Sequence, residues 1–309
     1  MRNIVTVTLN PALDKTAHVG ALVQGGLNRL EDIVLDAGGK GINVSKTITA
    51  LGGTSVASGF LGGGSGAEME RMLRDLGIQT DFVKPDRPTR TNLKVYSPAH
   101  GITEFNEPGA PVSADEMAAL KQKLMGYASP GTTFVFAGSL PQGADADTYA
   151  HLIHTVKETG AAVFLDTDGA AFRAAIEAKP DYIKPNTFEL MQYFGRQGEI
   201  TIDDCAALCR QFIDKGIKLA AVSMGAAGAL FVTVTETLYA PGLAIQAQST
   251  VGAGDSMVGA LVYAFHEGLP LRNAAALGIA TSAGAVTTGG TSPPDRALVD
   301  TLLKQVIFQ

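Results

Sequence analysis

The chain has no tryptophan and only two cysteines in 309 residues. Two thiols cannot staple a small secreted domain, and a zinc site needs more ligands than "CAALC" offers. Cys205 and Cys209 stand four apart, on one face of a helix, and read as packing residues. A reducing, cytoplasmic location is the expectation that follows. No basic run reaches five residues and the net charge is −6, so the cationic footprint that nucleic acid requires is missing. No stretch approaches the ~18 apolar residues of a membrane span, so no membrane partner is expected. The apolar run in "MRNIVTVTLNPALDK" is too short for a secretory signal and reads as a first strand. Asn43-Val-Ser45 fits a glycosylation sequon, but nothing secretory accompanies it. Internal repeats, low-complexity tracts and linkers are also lacking, so residues 1–309 are expected to form one domain.

What the chain does have is alternation. "NIVTVTL" (3–9), "TSVASGFLG" (54–62), "TTFVFAG" (132–138), "AAVFLDT" (161–167), "DYIKPN" (181–186) and "LAAVSMG" (219–225) are short apolar runs that end in polar residues or glycine. Amphipathic stretches such as "GINVSKTITALGG" and "GAEMERMLRDLGI" separate them. Strand and helix in turn predict an α/β fold with a mostly parallel central sheet flanked by helices. Such sheets bind ligands beyond the carboxyl ends of their strands. Two segments break the rhythm. "LNRLEDIVLDAGG" and "TRTNLKVYSPAHGITEFNEPG" alternate apolar with polar residues and carry turn signals, "PAHG" among them. They predict antiparallel strands forming a small lid, from about residues 15–36 and 89–108.

The chemistry concentrates in "STVGAGDSMVGA" (249–260). Gly252, Ala253 and Gly254 strip bulk from the backbone just ahead of an apolar helix, and unpaired N–H groups at a helix start bind anions. Asp255 is out of place if anion binding is the whole task. It fits if the carboxylate takes a proton from a hydroxyl that attacks a phosphoryl group. Local sequence leaves open a plain N-cap role for Asp255. "DAGGKGINVSK" sets glycines and Lys40 before a helix but fails the P-loop pattern, because Gly41 follows the lysine. In "KPNTFEL", Asn186 and Glu189 have capping-box spacing and are also oxygen donors suited to a hydrated Mg²⁺, with Lys184 nearby for phosphates. Arg29, Lys40, Arg90 and Lys94 would suit an already phosphorylated substrate if they converge. Gly62-x-Gly64-x-x-Ala67, with Asp81 further on, is a near-match to a dinucleotide fingerprint, and keeps a nicotinamide enzyme as a rival from another class. His151 and His154 share a helix face and read as idle surface residues.

"TLNPALD", "GGKGINVSK", "AGSLP", "KPN..E", "VSMGAAGAL" and "STVGAGDSMVGA", in this order over the whole chain, resemble the phosphofructokinase B group of ribokinase-like sugar kinases. "GGLNR", Lys40, "TRTNLKV" and "STVGAGDSMV" bring the likeness closest to members acting on fructose 1-phosphate. The resemblance implies a ribokinase-like fold and ATP- and Mg²⁺-dependent phosphorylation of that sugar to fructose 1,6-bisphosphate. Asp255 would be the base, and the backbone of Gly252, Ala253 and Gly254 the anion hole. Asp14, Gly38, Gly39 and Asn43 would hold sugar hydroxyls. Arg29, Lys40 and Arg90 would meet the phosphate already present, with Ser139 near the same pocket. Lys184, Asn186, Ser223, Gly225, Gly228, Thr250, Gly252 and Gly254 would serve ATP, and Glu189 with Asn186 would hold Mg²⁺ through water. A homodimer through the lid strands is also implied. Leu27 stands where fructose 6-phosphate enzymes of the group often carry lysine. The alternatives are a tagatose 6-phosphate or fructose 6-phosphate kinase of the same family.

Overall fold

The structure, a computed structural model, describes residues 3–309. Nine strands form the main sheet among these residues. In chain order they are β1 (Asn3–Thr8), β4 (Val56–Phe60), β5 (Gln79–Val83), β8 (Thr132–Ala137), β9 (Ala162–Asp166), β10 (Tyr182–Ile183), β11 (Leu219–Ser223), β12 (Ala229–Val232) and β13 (Thr237–Ala240). Their spatial order is β13-β12-β11-β10-β9-β8-β1-β4-β5, parallel from β5 across to β11. The last two strands are an antiparallel edge hairpin. Sequence pattern did not single out β5, β12 or β13. β10 is shorter than "DYIKPN" suggested, because Pro185 has no N–H to extend a ladder.

The period of two sorts the strands' side chains onto two cores. Phe134 and Phe136 of β8 enter one core with Leu120, Tyr149 and Phe212. Val135 and Ala137 enter the other with Val44, Val258 and Leu261. Burial on both faces explains why these strands read as continuous apolar runs. One layer holds α3 (Ala114–Tyr127), α4 (Thr148–Lys157), α5 (Gly169–Ile176), α6 (Thr187–Tyr193) and α7 (Ile202–Asp214). The opposite layer holds α1 (Lys40–Ala50), α8 (Ala253–His266), α9 (Leu271–Ala285) and α10 (Arg296–Leu303). Cys205 and Cys209 are buried and unbonded on α7, and burial pushes the Cys209 thiol up to about 12. No helix among the described residues is long and apolar enough to cross a membrane.

Four strands stand off as a second sheet, in the order β3-β2-β6-β7: β2 (Ala12–His18), β3 (Glu31–Gly38), β6 (Arg90–Ser97) and β7 (Gly101–Asn106). β2–β3 and β6–β7 pair antiparallel, but the central β2–β6 pair is parallel, which corrects the wholly antiparallel expectation. The reason is the route of the chain. Between β3 and β6 it crosses the main sheet through α1, β4, α2 (Gly63–Asp75) and β5, so β6 returns in the direction of β2. Leu13 and Ala37 root this lid against Met69 and Leu73 of α2.

Candidate active site

The carboxyl ends of β1, β8, β9, β10 and β11 open into one cavity of about 970 Å³. The lid covers it with Asp14, Arg90, Asn92, Lys94, Glu104 and Asn106. The site therefore lies where the strand-end rule places ligands in open α/β sheets.

Helix α8 supplies the centre. Its N-cap is Gly252, at φ 81° and with no side-chain cap, so Asp255 is not the cap. Asp255 sits inside the first turn, 7% exposed. Helix geometry leaves the N–H groups of Ala253, Gly254 and Asp255 without helical acceptors, facing the cavity mouth as an anion-binding end. The Asn43 amide donates to Asp255 Oδ2 at 2.7 Å and fixes its orientation. Burial, with the Asp166 charge behind it, pushes the Asp255 carboxyl up to about 6, against the pull of Lys40, Asn43 and Lys184. A carboxylate so placed is poised to accept a proton near neutral pH.

Asp166, at the end of β9, joins the two lysines. Lys40 Nζ lies 3.3 Å and Lys184 Nζ 3.5 Å from its Oδ1. Burial alone would raise this carboxyl, but Lys184 and then Lys40 hold it below the ordinary range. Lys40 is in turn held above its ordinary range, first by Asp166 and then, against burial, by Asp255 and Glu189. Lys184 also stands beside the helix start, its Nζ 3.2 Å from where a Cβ on Gly254 would be. Asp166 Oδ2, Thr8 Oγ1 and Asn43 Oδ1 are buried without partners, and all three residues line the cavity. Orphaned acceptors and hydroxyls of this kind are what an absent polar ligand would satisfy.

On the lid side, Asp14 accepts from Asn92 at 2.9 Å and Lys94 at 3.0 Å. Arg90 donates to the Asn10 and Glu107 carbonyls and to Asn92 Oδ1. Burial lowers its guanidinium, opposed by Asp14 and Glu107. Asn10 bridges toward Ser139, with its amide 3.4 Å from the hydroxyl. Gly39 lines the cavity, whereas Gly38 makes room for a neighbour: a Cβ there would lie 2.8 Å from Asp14 Cγ. Arg29 is the exception among the expected cations. It is exposed on the 19–30 loop, where its charge is solvated, and does not line the cavity.

At the other end, Ser223, Gly225, Gly228 and Thr250 line the cavity with Leu243, Ile245, Ile279 and Ala283, an apolar slot that no motif announced. Asn186 and Glu189 close a capping box on α6, each accepting the other's backbone N–H at 2.8 Å. The capping box leaves each group with unused lone pairs, so capping a helix and facing a ligand are compatible here. No cluster of three acidic, histidine or cysteine side chains among the described residues could hold a bare metal ion. A hydrated Mg²⁺ held mainly by phosphate oxygens needs only one or two protein oxygens. Glu189, Asn186 and the orphaned Asp166 Oδ2 fit that requirement.

Asp166, Asp168, Asn10, Asn92, Glu104 and Asn106 also line the cavity without having been expected. Asp166 ends β9 and Asp168 lies two residues on, at the start of α5, so the strand-end rule could have found them. The Gly62 loop is a different matter. A Cβ on Gly62 would fall 2.2 Å from the Arg87 carbonyl oxygen, so the chain itself fills the space a dinucleotide would need. Asp81 is taken by Lys123 and Tyr127. His151 and His154 are exposed beside Asp147 and Glu158, away from the cavity.

Residues 7–297 match the family described as pfkB family carbohydrate kinase. The chain is 34% identical to the 1-phosphofructokinase of Vibrio cholerae, over 99% of this chain and 96% of that one. It is 33% identical to the ATP-dependent 6-phosphofructokinase isozyme 2 of Escherichia coli, over 94% of each. The crystal structure of phosphofructokinase-2 from Escherichia coli in complex with potassium superposes with a TM-score of 0.94 at 30% identity, covering 99% of both chains. The fold is ribokinase-like.

Proposed function

The chain belongs to the pfkB family of carbohydrate kinases, and from that premise we propose that it transfers the γ-phosphoryl group of ATP to fructose 1-phosphate, giving fructose 1,6-bisphosphate and ADP. The observation that carries the reading is Asp255: a buried carboxylate, oriented by Asn43, inside the first turn of a helix whose N–H groups face the same cavity. The base and the anion hole must touch one transferring group, so they share one helix start.

In the proposed step the sugar's C6 hydroxyl oxygen attacks the γ-phosphorus. The Pγ–O bond to ADP breaks in line, and the hydroxyl proton passes to Asp255. No phosphoenzyme forms. The N–H groups from Gly252 to Asp255 hold the developing charge. Lys184 and Lys40 flank it, Lys40 standing here rather than at the resident phosphate because Asp166 holds it, and Asp166 keeps both in place. Asp14, Gly39 and Asn43 hold hydroxyls, with the unpartnered Asn43 Oδ1 as an acceptor. Arg90 meets the resident phosphate, with Lys94 and Ser139 beside it. Ser223, Gly225, Gly228 and Thr250 border the slot proposed for the nucleotide. Mg²⁺, bound with ATP, would be held through water by Glu189 and Asn186; it offsets phosphate charge.

The likeness to the Vibrio cholerae enzyme and Leu27 support fructose 1-phosphate over a 6-phosphate. The likeness to the Escherichia coli isozyme keeps fructose 6-phosphate as the second reading. A homodimer through the lid is supported by apolar side chains left exposed there, including Val34 at 61%, Ile102 at 54% and Phe105 at 54%. Two free buried cysteines support a cytoplasmic setting. The test is ADP release with Mg·ATP, comparing kcat/KM for fructose 1-phosphate, fructose 6-phosphate and tagatose 6-phosphate. Fructose 1-phosphate should lead by about 100-fold, roughly 2.7 kcal/mol. A lead for either 6-phosphate would reassign the acceptor, and no turnover with any of them would end the reading.

A further inference from the structure

We propose that Asp36 and Thr291 form a positioning pair that holds the sugar-side lid in register with the anion hole. The inference rests on the kinase reading above. Asp36 lies on β3 directly across from Asp14. Its Oδ1 accepts from Lys46 Nζ at 2.6 Å, and its Oδ2 accepts from Thr291 Oγ1 at 2.7 Å. The Lys46 side chain is 3% exposed, so its ammonium needs a partner, and Asp36 supplies it. Lys46 sits on α1 one turn beyond Asn43, the residue that orients Asp255. Asp36 is thereby clamped to a rigid helix, and its second oxygen is aimed at Thr291.

Thr291 is 9% exposed and forms part of the cavity wall. Its Cα lies 3.5 Å from where a Cβ on Gly252 would be. Gly252 is the left-handed residue that starts α8 and its free N–H groups. Contacts therefore run from Asp14, through its strand partner Asp36, to Thr291 and then to Gly252. Among the described residues, the Thr291–Asp36 bond is the one side-chain hydrogen bond joining the lid strands to the segment 241–309. That segment carries both the anion hole and Asp255. A sugar held by the lid meets a phosphoryl group held by α8 in fixed geometry only while the two bodies stay registered. An ångström of slack there lowers the rate without weakening nucleotide binding.

Full-length Thr291→Val and Thr291→Ser separate this role from simple packing. Valine keeps the shape of threonine without its donor, whereas serine keeps the donor and loses one methyl, so packing loss alone would impair serine more than valine. With Mg·ATP and fructose 1-phosphate, Thr291→Val should lower kcat at least fivefold while KM for ATP stays within twofold. Thr291→Ser should recover kcat to within twofold of the parent. Amide hydrogen exchange at Ser256, whose N–H is bonded to the Gly252 carbonyl at 2.8 Å, and in the turn that follows it should accelerate in Thr291→Val and not in Thr291→Ser. A melting temperature that falls while kcat and exchange stay at parental values would make the bond purely structural and overturn the proposal. So would a serine variant as impaired as the valine one. If the parent protein turns over no phosphoketohexose, the proposed function falls, and the exchange comparison alone then decides the positioning claim.

Discussion

Lowering the pH through 6 should switch phosphoryl transfer off, because Asp255 works only as a carboxylate. Burial and the Asp166 charge raise its carboxyl to about 6. A base with that value is about 97% deprotonated at pH 7.5 and about 9% at pH 5, so the rate should fall about tenfold between them. The assay is kcat/KM for fructose 1-phosphate from pH 4.5 to 9, which reports the free enzyme. The phosphate of the sugar also titrates near ~6 and could imitate this limb. Asn43→Ala separates the two. Asn43 donates to Asp255 Oδ2 at 2.7 Å and favours the charged form. Losing one charge-assisted hydrogen bond should move the limb up by about one pH unit, while the ionisation of the sugar stays where it is. Asp255→Asn should cut kcat by at least ~100-fold across the whole range. A limb unmoved by Asn43→Ala, or a near-normal kcat in Asp255→Asn, would refute the assignment of the base.

Asp255→Asn should also stabilise the fold, but only at high pH. The folded value of about 6 exceeds the ordinary 3.8, so folding is penalised as pH rises from one to the other. The gain should be at most about 3 kcal/mol at pH 8 and absent near pH 3.5. Urea unfolding at both pH values measures it, and equal stability of the two proteins at pH 8 would show that burial does not strain the carboxylate. Arg90→Ala should raise KM for the phosphosugar about tenfold and leave KM for ATP nearly unchanged. Arg90→Lys should rescue little, because the guanidinium also ties the Asn10 and Glu107 carbonyls. Steady-state kinetics in both substrates decides, and an unchanged sugar KM would remove Arg90 from the phosphate site.

Short-range chemistry made much of this protein legible before any coordinate. Glycines around 252–254 permit close approach to backbone ahead of a helix. An apolar period after them means a buried helix, and the Asn186–Glu189 spacing means a capped helix start. Alternating strands and helices imply the parallel sheet and the side of it that binds. All these signals act within a few residues, where sterics and hydrogen-bond geometry leave few choices. Only the tertiary structure decided which distant charges meet. Nothing local tells Lys40 that Asp166, 126 residues on, is its partner, or Thr291 that Asp36 is. Nothing local separates Arg90, drawn into the cavity, from Arg29, left in solvent. The parallel β2–β6 pair depends on the whole crossover between them. Partner choice at long range rests on burial, which turns weak solvated charges into strong directed ones, and burial belongs to the folded chain as a whole.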